Sequence, residues 1–231
     1  MKLKENYPLL DKKYLTQKFI KKEYFNKIAK IILKDKKKNI SILDVGCASG
    51  DFLYYFNSKK KFNCYGVDFS KILIKEARKK VTNATFEVGN ISNLKIQKKF
   101  DYCTCLGVLN IFDDYKKILN KLLKLVKTNG KLIIFTNINN NNFNVILRYQ
   151  VGRDNKWYSG LNTFSKKQFK DFIEKKKKIK KVEFIKHKIG IKIPKNKKNL
   201  NNSWTLKVGR EKLVTNGTDL IQRQNIIIIS L

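Results

Sequence analysis

Short apolar runs alternate with amphipathic stretches through the first 136 residues of the chain. The runs are rich in β-branched residues and end at glycine or polar positions, while the stretches between them have helical spacing. Strands are predicted at residues 40–45, 62–68, 85–88, 100–108 and 131–136. Strands that alternate with helices predict a parallel, doubly wound α/β sheet.

Other patterns flank this alternating region. Residues 14–33 carry apolar positions at helical spacing and predict one or two amphipathic helices. A helix at 115–127 is expected to stop at Thr128-Asn129-Gly130. Beyond residue 137 the chain predicts a short helix at 143–151, an aromatic loop at 152–162, a helix at 166–175, strands at 180–189 and 222–230, and a hairpin turn at Gly209-Arg210-Glu211.

The first strand runs directly into a turn of small residues. Asp44 lies near its carboxyl end, Gly46 ends it, and Gly50 precedes the next helical stretch. Small residues let a ligand approach the backbone closely, although many α/β proteins contain a strand, turn and helix in this order. Asp68 ends the second strand, 22 residues past Gly46. It could accept hydrogen bonds from ribose hydroxyls or cap the following helix.

The pattern Asp44-x-Gly46-x-x-x-Gly50 resembles the first motif of class I S-adenosylmethionine-dependent methyltransferases. A dinucleotide-binding G-x-G-x-x-G motif would need glycine where Ala48 stands. The resemblance implies a seven-stranded, mostly parallel sheet with one antiparallel strand, and S-adenosyl-L-methionine as methyl donor with S-adenosyl-L-homocysteine as product. We interpret residues 1–231 as one methyltransferase domain.

This domain would have three parts. Residues 1–38 form a helical N-terminal segment, residues 39–137 a cofactor-binding half, and residues 138–231 a substrate-side half with loop and hairpin insertions. The final strand, 222–230, is expected to insert beside the sixth strand and run antiparallel to its neighbours, as in the resembled family.

The resemblance assigns cofactor contacts to the ends of the first four strands. Asp68 would bind the ribose, and Asn90 stands where many relatives carry the acid that holds the adenine amino group, which its side-chain carbonyl can also accept. Ile91 would pack on the adenine ring. The expected cofactor-binding residues are Asp44, Gly46, Cys47, Ala48, Gly50, Asp68, Phe69, Asn90, Ile91, Leu106 and Gly107.

Methyl transfer needs little from the protein beyond alignment, because the donor carries its own electrophile. His187, the only histidine, could act as a general base for a hydroxyl acceptor or could be structural. Asp113 is a second catalytic candidate, although helix capping would explain at least one of Asp113 and Asp114. Asn110 is a third candidate and stands where many relatives carry histidine.

The charge balance is strongly basic, with 52 lysine and arginine residues against 18 acidic residues and a net charge of +34. Such a field attracts nucleic acid, acidic membranes or phosphorylated substrates. Only five of the cationic residues are arginine, and lysine, asparagine and isoleucine are in excess together. An A/T-rich coding sequence would produce this composition without selection for a polyanion, so nucleic-acid binding is not favoured.

The C-terminal layout looks like that of small methyltransferases of surface-polysaccharide biosynthesis. It implies O-methylation of a sugar, a nucleotide-activated sugar or another phosphorylated small molecule. The alternatives are an RNA methyltransferase and a non-catalytic protein that binds S-adenosylmethionine. The expected substrate contacts are Arg148, Arg153, Trp157 and Tyr158, with Arg210 as a further phosphate contact.

The cysteines indicate a reducing compartment. Cys47, Cys64, Cys103 and Cys105 form no C-x-x-C pair, so neither a disulfide framework nor a metal site is predicted. The first residues have no apolar signal core, and the apolar run near residue 226 is too short to span a bilayer. We therefore expect a cytoplasmic protein without membrane insertion.

Overall fold

The computed structural model describes residues 13–19, 21–59, 62–150, 157–195, 203–218 and 220–231. The helices are α1 (Lys13–Thr16), α2 (Glu23–Leu33), α3 (Asp51–Asn57), α4 (Lys71–Lys80), α5 (Tyr115–Lys124) and α6 (Lys166–Glu174). The strands are β1 (Ser41–Val45), β2 (Asn63–Asp68), β3 (Ala84–Val88), β4 (Phe100–Leu106), β5 (Val126–Asn139), β6 (Arg148–Tyr149), β7 (Tyr158–Ser159), β8 (Thr163–Ser165), β9 (Lys181–Lys186), β10 (Trp204–Val208), β11 (Glu211–Thr215) and β12 (Gln224–Ser230).

One mixed sheet carries the architecture. Its strand order is β3-β2-β1-β4-β5-β12-β9, and the short β8 extends it by pairing with β5. Strands β1 to β5 pair in parallel, whereas β12 is antiparallel to both β5 and β9. The expected doubly wound sheet with one inserted antiparallel strand is confirmed. The hairpin expected near Gly209 is also present, as β10 and β11.

The sheet is buried on both faces, which explains why β1 is an almost continuous apolar run. Every residue of β1 is buried. Ile42 belongs to the core on the face of α2, α3 and α4, while Leu43 and Val45 belong to the core on the face of α5 and α6. Because side chains alternate along a strand, Asp44 faces the α2 side.

Helix α2 covers this face at the carboxyl ends of the parallel strands. Tyr24 stacks on Phe135 of β5 with ring centroids 3.9 Å apart. Glu23 accepts a hydrogen bond of 2.8 Å from the backbone N–H of Gly190, beyond the end of β9. The N-terminal segment thus forms two helices, and the second one lies over the edge to which Asp44 points. None of the described helices is long and apolar enough to cross a membrane.

The helix expected at 143–151 is absent over its described part, which ends at residue 150. Val145 exchanges backbone hydrogen bonds of 2.8 and 3.0 Å with Thr163, and Arg148–Tyr149 pairs as β6 with Tyr158–Ser159. These pairings with residues farther along the chain replace the local bonds that a helix would need. The prediction of a helix was therefore wrong.

The helix stop expected at Thr128-Asn129-Gly130 is also wrong. Helix α5 ends at Lys124, and β5 begins at Val126 and runs through this tripeptide. Asn129 has a φ of +65°, and the register between β4 and β5 shifts nearby. The turn residues therefore form an irregularity within a strand and do not end a helix.

A buried ion pair joins α3 to α4. Lys80 Nζ lies 2.5 Å from Asp51 Oδ1, and both side chains are about nine-tenths buried or more. We expect Lys80→Met to lower the free energy of unfolding by about 3 kcal/mol, because the Asp51 carboxylate would stay buried without its cation. Urea unfolding followed by circular dichroism measures this change.

Lys79→Met is the matched control for Lys80→Met. Lys79 pairs with Glu76 on the exposed face of the same helix, and its loss should cost less than about 1 kcal/mol. Equal costs for the two variants would contradict the structural role of the Lys80–Asp51 pair.

Candidate functional site

The turn after β1 depends on left-handed backbone conformations. Gly46, Ala48 and Gly50 have φ angles of +76°, +49° and +77°. The N–H of Gly46 donates to the carbonyl of Val67 over 2.7 Å, which draws the turn over the end of β2. A Cβ added at Gly46 would lie 2.2 Å from Val108 Cγ2. Only glycine fits at this position.

Asp68 closes the same turn from the end of β2. Its Oδ2 accepts from the N–H of Ala48 and its Oδ1 from that of Ser70, both over 2.9 Å. Burial raises the pKa of Asp68, and these N–H groups oppose that rise. The N–H of Phe69 is a third backbone donor to this carboxylate. A carboxylate has about four acceptor positions, so one remains for a ligand. Ser70, rather than Asp68, caps α4 through its bond to Leu73.

Asp44 is the second buried carboxyl group at this edge. Thr104 of β4 donates its hydroxyl to Asp44 Oδ1 over 2.7 Å. Burial raises the pKa of Asp44 to about 7, while the Thr104 bond and the charge of Lys22 act to lower it. A cation bound above β1 would therefore favour the ionised form of Asp44.

A narrow cleft of about 70 Å³ opens beside Gly46 and Asp68. Phe69 and Ile91 line it from the ends of β2 and β3, and Phe69 is half exposed. Asn90 is also in the wall, where its Oδ1 accepts from the N–H of Ser92 over 2.8 Å. That bond uses one lone pair of the Asn90 carbonyl and leaves the other for a ligand.

The end of β4 is open. Gly107 has a φ of +77°, and no heavy atom lies within 4 Å of the position that its Cβ would take. Leu106 before it is buried in the core. Asn110 follows in a single 3₁₀ turn, buried, and its Oδ1 has no hydrogen-bond partner among the described residues. Buried acceptors rarely stay unpaired, so this amide is suited to a ligand donor.

Asp113 and Arg148 are brought together, and they form an ion pair with each other. Asn162 stabilises this pair by donating its Nδ2 to Asp113 Oδ1 over 3.3 Å and to the carbonyl of Phe112 over 3.0 Å. Asp114 caps α5 through the N–H of Lys117. Asp113 is thus held by two partners, which disfavours its predicted role as a free base.

The structure describes only some of the other residues that were predicted to bind the substrate. Tyr158 stacks on Tyr149 with ring centroids 5.7 Å apart, and Trp157 is 41% exposed. Arg153 lies outside the described residues. Asn162, which links this segment to the end of β4, was missed because a buried asparagine in a loop gives no periodic signal.

His187 lies apart from Asn110 and Asp113. It follows β9, so β5 and β12 separate it from the end of β4. Lys27 Nζ is 3.3 Å from its Nδ1, and an ammonium can only donate, so the ring proton must lie on Nε2. Burial and the charge of Lys27 lower the pKa of His187. In this arrangement the imidazole is a neutral donor, and a general-base role would require Lys27 to release Nδ1.

The structure therefore brings most of the expected cofactor residues to one edge of the sheet. The sequence did not predict the roles of Thr104, Val108 and Tyr24 at this edge. Their contacts with Asp44, Gly46 and Phe135 join residues far apart in the chain, so no local pattern indicates them. Among the described residues, no cluster of three or more histidine, cysteine or acidic side chains could hold a metal ion.

Comparisons with known proteins agree with this geometry. A family model described as a methyltransferase domain matches residues 36–163, more than half of the chain. The ubiquinone biosynthesis O-methyltransferase of Pelagibacter ubique is 32% identical over 120 residues, which cover 50% of this chain and 50% of that protein. A malonyl-(acyl-carrier protein) O-methyltransferase of Ilyobacter polytropus is 26% identical over 148 residues, 55% of this chain and 53% of that protein.

The chain spans about half the length of these curated relatives. A crystal structure of an S-adenosylmethionine-dependent methyltransferase from Clostridium acetobutylicum superposes with a TM-score of 0.58. The alignment covers 96% of this chain and 93% of that one, at 16% identity. This likeness shows the same fold.

The turn geometry predicts how alanine behaves at Gly46. Gly46→Ala should lower the free energy of unfolding by the left-handed backbone cost of about 1–2 kcal/mol, and further through the clash with Val108. Gly209→Ala is the control, since Gly209 also has a positive φ but no neighbour within 4 Å of its Cβ position. Thermal and urea unfolding compare the two.

Val108→Ala separates the clash from the backbone cost. In that background, Gly46→Ala should cost about as much as Gly209→Ala. If Val108→Ala leaves the penalty of Gly46→Ala unchanged, the close packing of Val108 on the turn is wrong.

Proposed function

The chain belongs to the methyltransferase domain family, and we propose that it transfers a methyl group from S-adenosyl-L-methionine to a small molecule. The observation that carries this is the edge built by Gly46, Asp68 and Gly107. It lies between the adjacent strands β1 and β4. From β1 the chain adds β2 and β3 on one side of the sheet, and it then returns to add β4 and β5 on the other side. Ligands of open α/β sheets bind at such a switch point.

The residues at this edge fit the donor. Asp68 has an acceptor position left for a ribose hydroxyl beside its backbone donors. The exposed ring of Phe69, together with Ile91, offers apolar faces for adenine. Gly46 lines the cleft, where the methionine part would lie, and the nearby Asp44 suits a positive charge. When bound, S-adenosylmethionine supplies an activated methyl group, so no covalent intermediate on the protein is needed.

The chain's own contribution to the reaction is to bind, align and desolvate the acceptor. The space over Gly107 leaves room for the acceptor beside the end of β4. The unpaired Oδ1 of Asn110 can accept a hydrogen bond from an acceptor hydroxyl and so orient its oxygen. In this view residues 39–137 hold the donor and orient the reacting hydroxyl, and residues 138–231 bind the rest of the acceptor.

We infer an oxygen acceptor, since two relatives are named O-methyltransferases, and we favour a hydroxyl group. A sugar, nucleotide-activated sugar or other phosphorylated precursor of surface polysaccharide is the acceptor class that we favour. The aromatic loop near Trp157 and the basic C-terminal half support it. Four free, buried cysteines are consistent with a reaction in the cytoplasm.

An RNA acceptor is less favoured by the distribution of charge. A lysine-lined cleft of about 990 Å³ contains Lys99, Lys124 and Lys176, with Val126 at the start of β5. It therefore opens at the amino ends of the parallel strands. The seven residues of β4 separate the two edges by roughly 20 Å at about 3.3 Å per residue, so this cleft does not by itself present an RNA nucleotide to the donor site.

Calorimetry with S-adenosylmethionine and S-adenosylhomocysteine tests the proposal, together with Asp68→Ala. We expect micromolar-range binding by the unmodified protein. The variant should bind at least tenfold more weakly, because each hydrogen bond to a charged acceptor contributes about 1.5–3 kcal/mol. Formation of S-adenosylhomocysteine with a panel of sugar phosphates, nucleotide sugars and RNA then identifies the acceptor class.

Asp171→Ala is the control, since Asp171 lies exposed on α6 and pairs with Lys167. Its dissociation constant should match that of the unmodified protein. Absence of binding by the folded, unmodified protein would reject the methyltransferase assignment. Binding without product from any acceptor class would favour the non-catalytic alternative.

A further inference from the structure

A second pocket, of about 400 Å³, lies between the end of β9 and the C-terminal hairpin. Residues 186–189, 210–214 and 221–224 line it. It opens at the same edge of the sheet as the donor site, because β9 runs parallel to β5. Three strand spacings of about 4.8 Å separate β9 from β4, so the end of β9, beside the pocket, lies roughly 14 Å from the end of β4.

The lining is cationic. Five positive side chains face one carboxylate, that of Glu211. The positive side chains are Lys186, Lys188, Arg210, Lys212 and Arg223. Two of them belong to the five arginines of a chain in which lysine is otherwise almost always the cation. Arginine is the side chain whose planar fork matches phosphate and carboxylate groups.

Most side-chain hydrogen-bond donors that line this pocket have no acceptor partner among the described residues. Lys212 donates to the carbonyl of Gly190, but neither Arg210 nor Arg223 pairs with a carboxylate among the described residues. Gln222 in the wall is 91% buried, and its Oε1 accepts from Ser203. Its Nε2 has no hydrogen-bond partner among the described residues, which is rare for a buried amide.

His187 adds another donor to the wall. Because Lys27 occupies Nδ1, the imidazole proton lies on Nε2. The ring packs edge-on against the stacked pair of Tyr24 and Phe135. A lining that holds a neutral imidazole, an amide and two guanidinium groups is suited to an acceptor-only ligand such as a phosphoryl group. The same arrangement has little to offer a cation.

The pocket is connected to the donor edge through packed rings. His187 contacts Phe135 of β5, with ring centroids 5.4 Å apart. Phe135 lies in register with Leu106 at the end of β4, and the N–H of Gly107 donates to the Phe135 carbonyl over 2.9 Å. The pocket and the end of β4 are thus joined by packed side chains, and a molecule that reached from the pocket to Gly107 would pass over these rings.

We propose that this pocket binds the phosphoryl group of the methyl acceptor, which Arg210, Arg223, His187 and Gln222 recognise. The identity of the ligand as the methyl acceptor rests on the proposed function. The binding of an anion in the pocket does not. The acceptor is then a phosphorylated small molecule with its hydroxyl about 14 Å from the phosphoryl group, in keeping with three strand spacings.

The single histidine of the chain provides a direct readout. In untagged protein, the imidazole NMR signals of His187 are titrated with inorganic phosphate, with chloride holding the ionic strength constant. We expect a saturable shift. In the double variant Arg210→Gln/Arg223→Gln the dissociation constant should rise at least tenfold, since two charge-assisted contacts are lost.

Lys177→Gln/Lys178→Gln is the matched control, because it removes the same charge from the cleft at the opposite edge. Its dissociation constant should equal that of the unmodified protein. No saturable shift, or equal weakening in both double variants, would overturn the pocket as an anion site.

A second measurement identifies the source of the phosphoryl group. The phosphorylated compound that supports the most S-adenosylhomocysteine formation should bind at least tenfold more tightly than inorganic phosphate, and should lose this advantage in Arg210→Gln/Arg223→Gln. If every phosphorylated compound binds no better than inorganic phosphate, the pocket serves free phosphate and the acceptor assignment is overturned. If phosphate binds but S-adenosylhomocysteine does not, the proposed function fails and the anion site remains.

Discussion

The site depends on one backbone constraint, the left-handed turn that leaves β1 at Gly46. The turn is drawn over β2 by the Val67 carbonyl and closed by the Asp68 carboxylate. Val108 packs so tightly on Gly46 that no Cβ fits between them. Because this turn is held by β2 and β4 together, its shape depends on correct pairing of the three central strands.

Polar groups are buried along the edge of the sheet that contains this turn, and their burial favours ligand binding. Burial raises the pKa of both Asp44 and Asp68. Asn110 and Gln222 each bury a polar atom that has no partner among the described residues. Such groups destabilise the ligand-free protein, so their satisfaction by a donor or acceptor molecule would contribute to binding. The sheet places them along one edge, from β1 through β4 to β9.

The sequence predicted the features that depend on local pattern. Alternating strands and helices gave the order of the sheet elements, and the distance from Gly46 to Asp68 placed an acid at the end of β2. It did not predict that Arg148 would pair with Asp113 or that Lys27 would fix the tautomer of His187. Nor did it predict that Val145 and Arg148–Tyr149 would pair with residues farther along the chain. Each of these contacts joins residues far apart in the chain, so no window of sequence contains the information.

The central claim is that the edge formed by Gly46, Asp68 and Gly107 holds the methyl donor. A crystal structure of the protein with S-adenosylhomocysteine tests this most directly. The account predicts ribose hydroxyls on Asp68, the adenine ring against Phe69 and Ile91, and the sulfur facing the space over Gly107. Density for the product at any other edge of the sheet, or ribose hydroxyls without contact to Asp68, would contradict it.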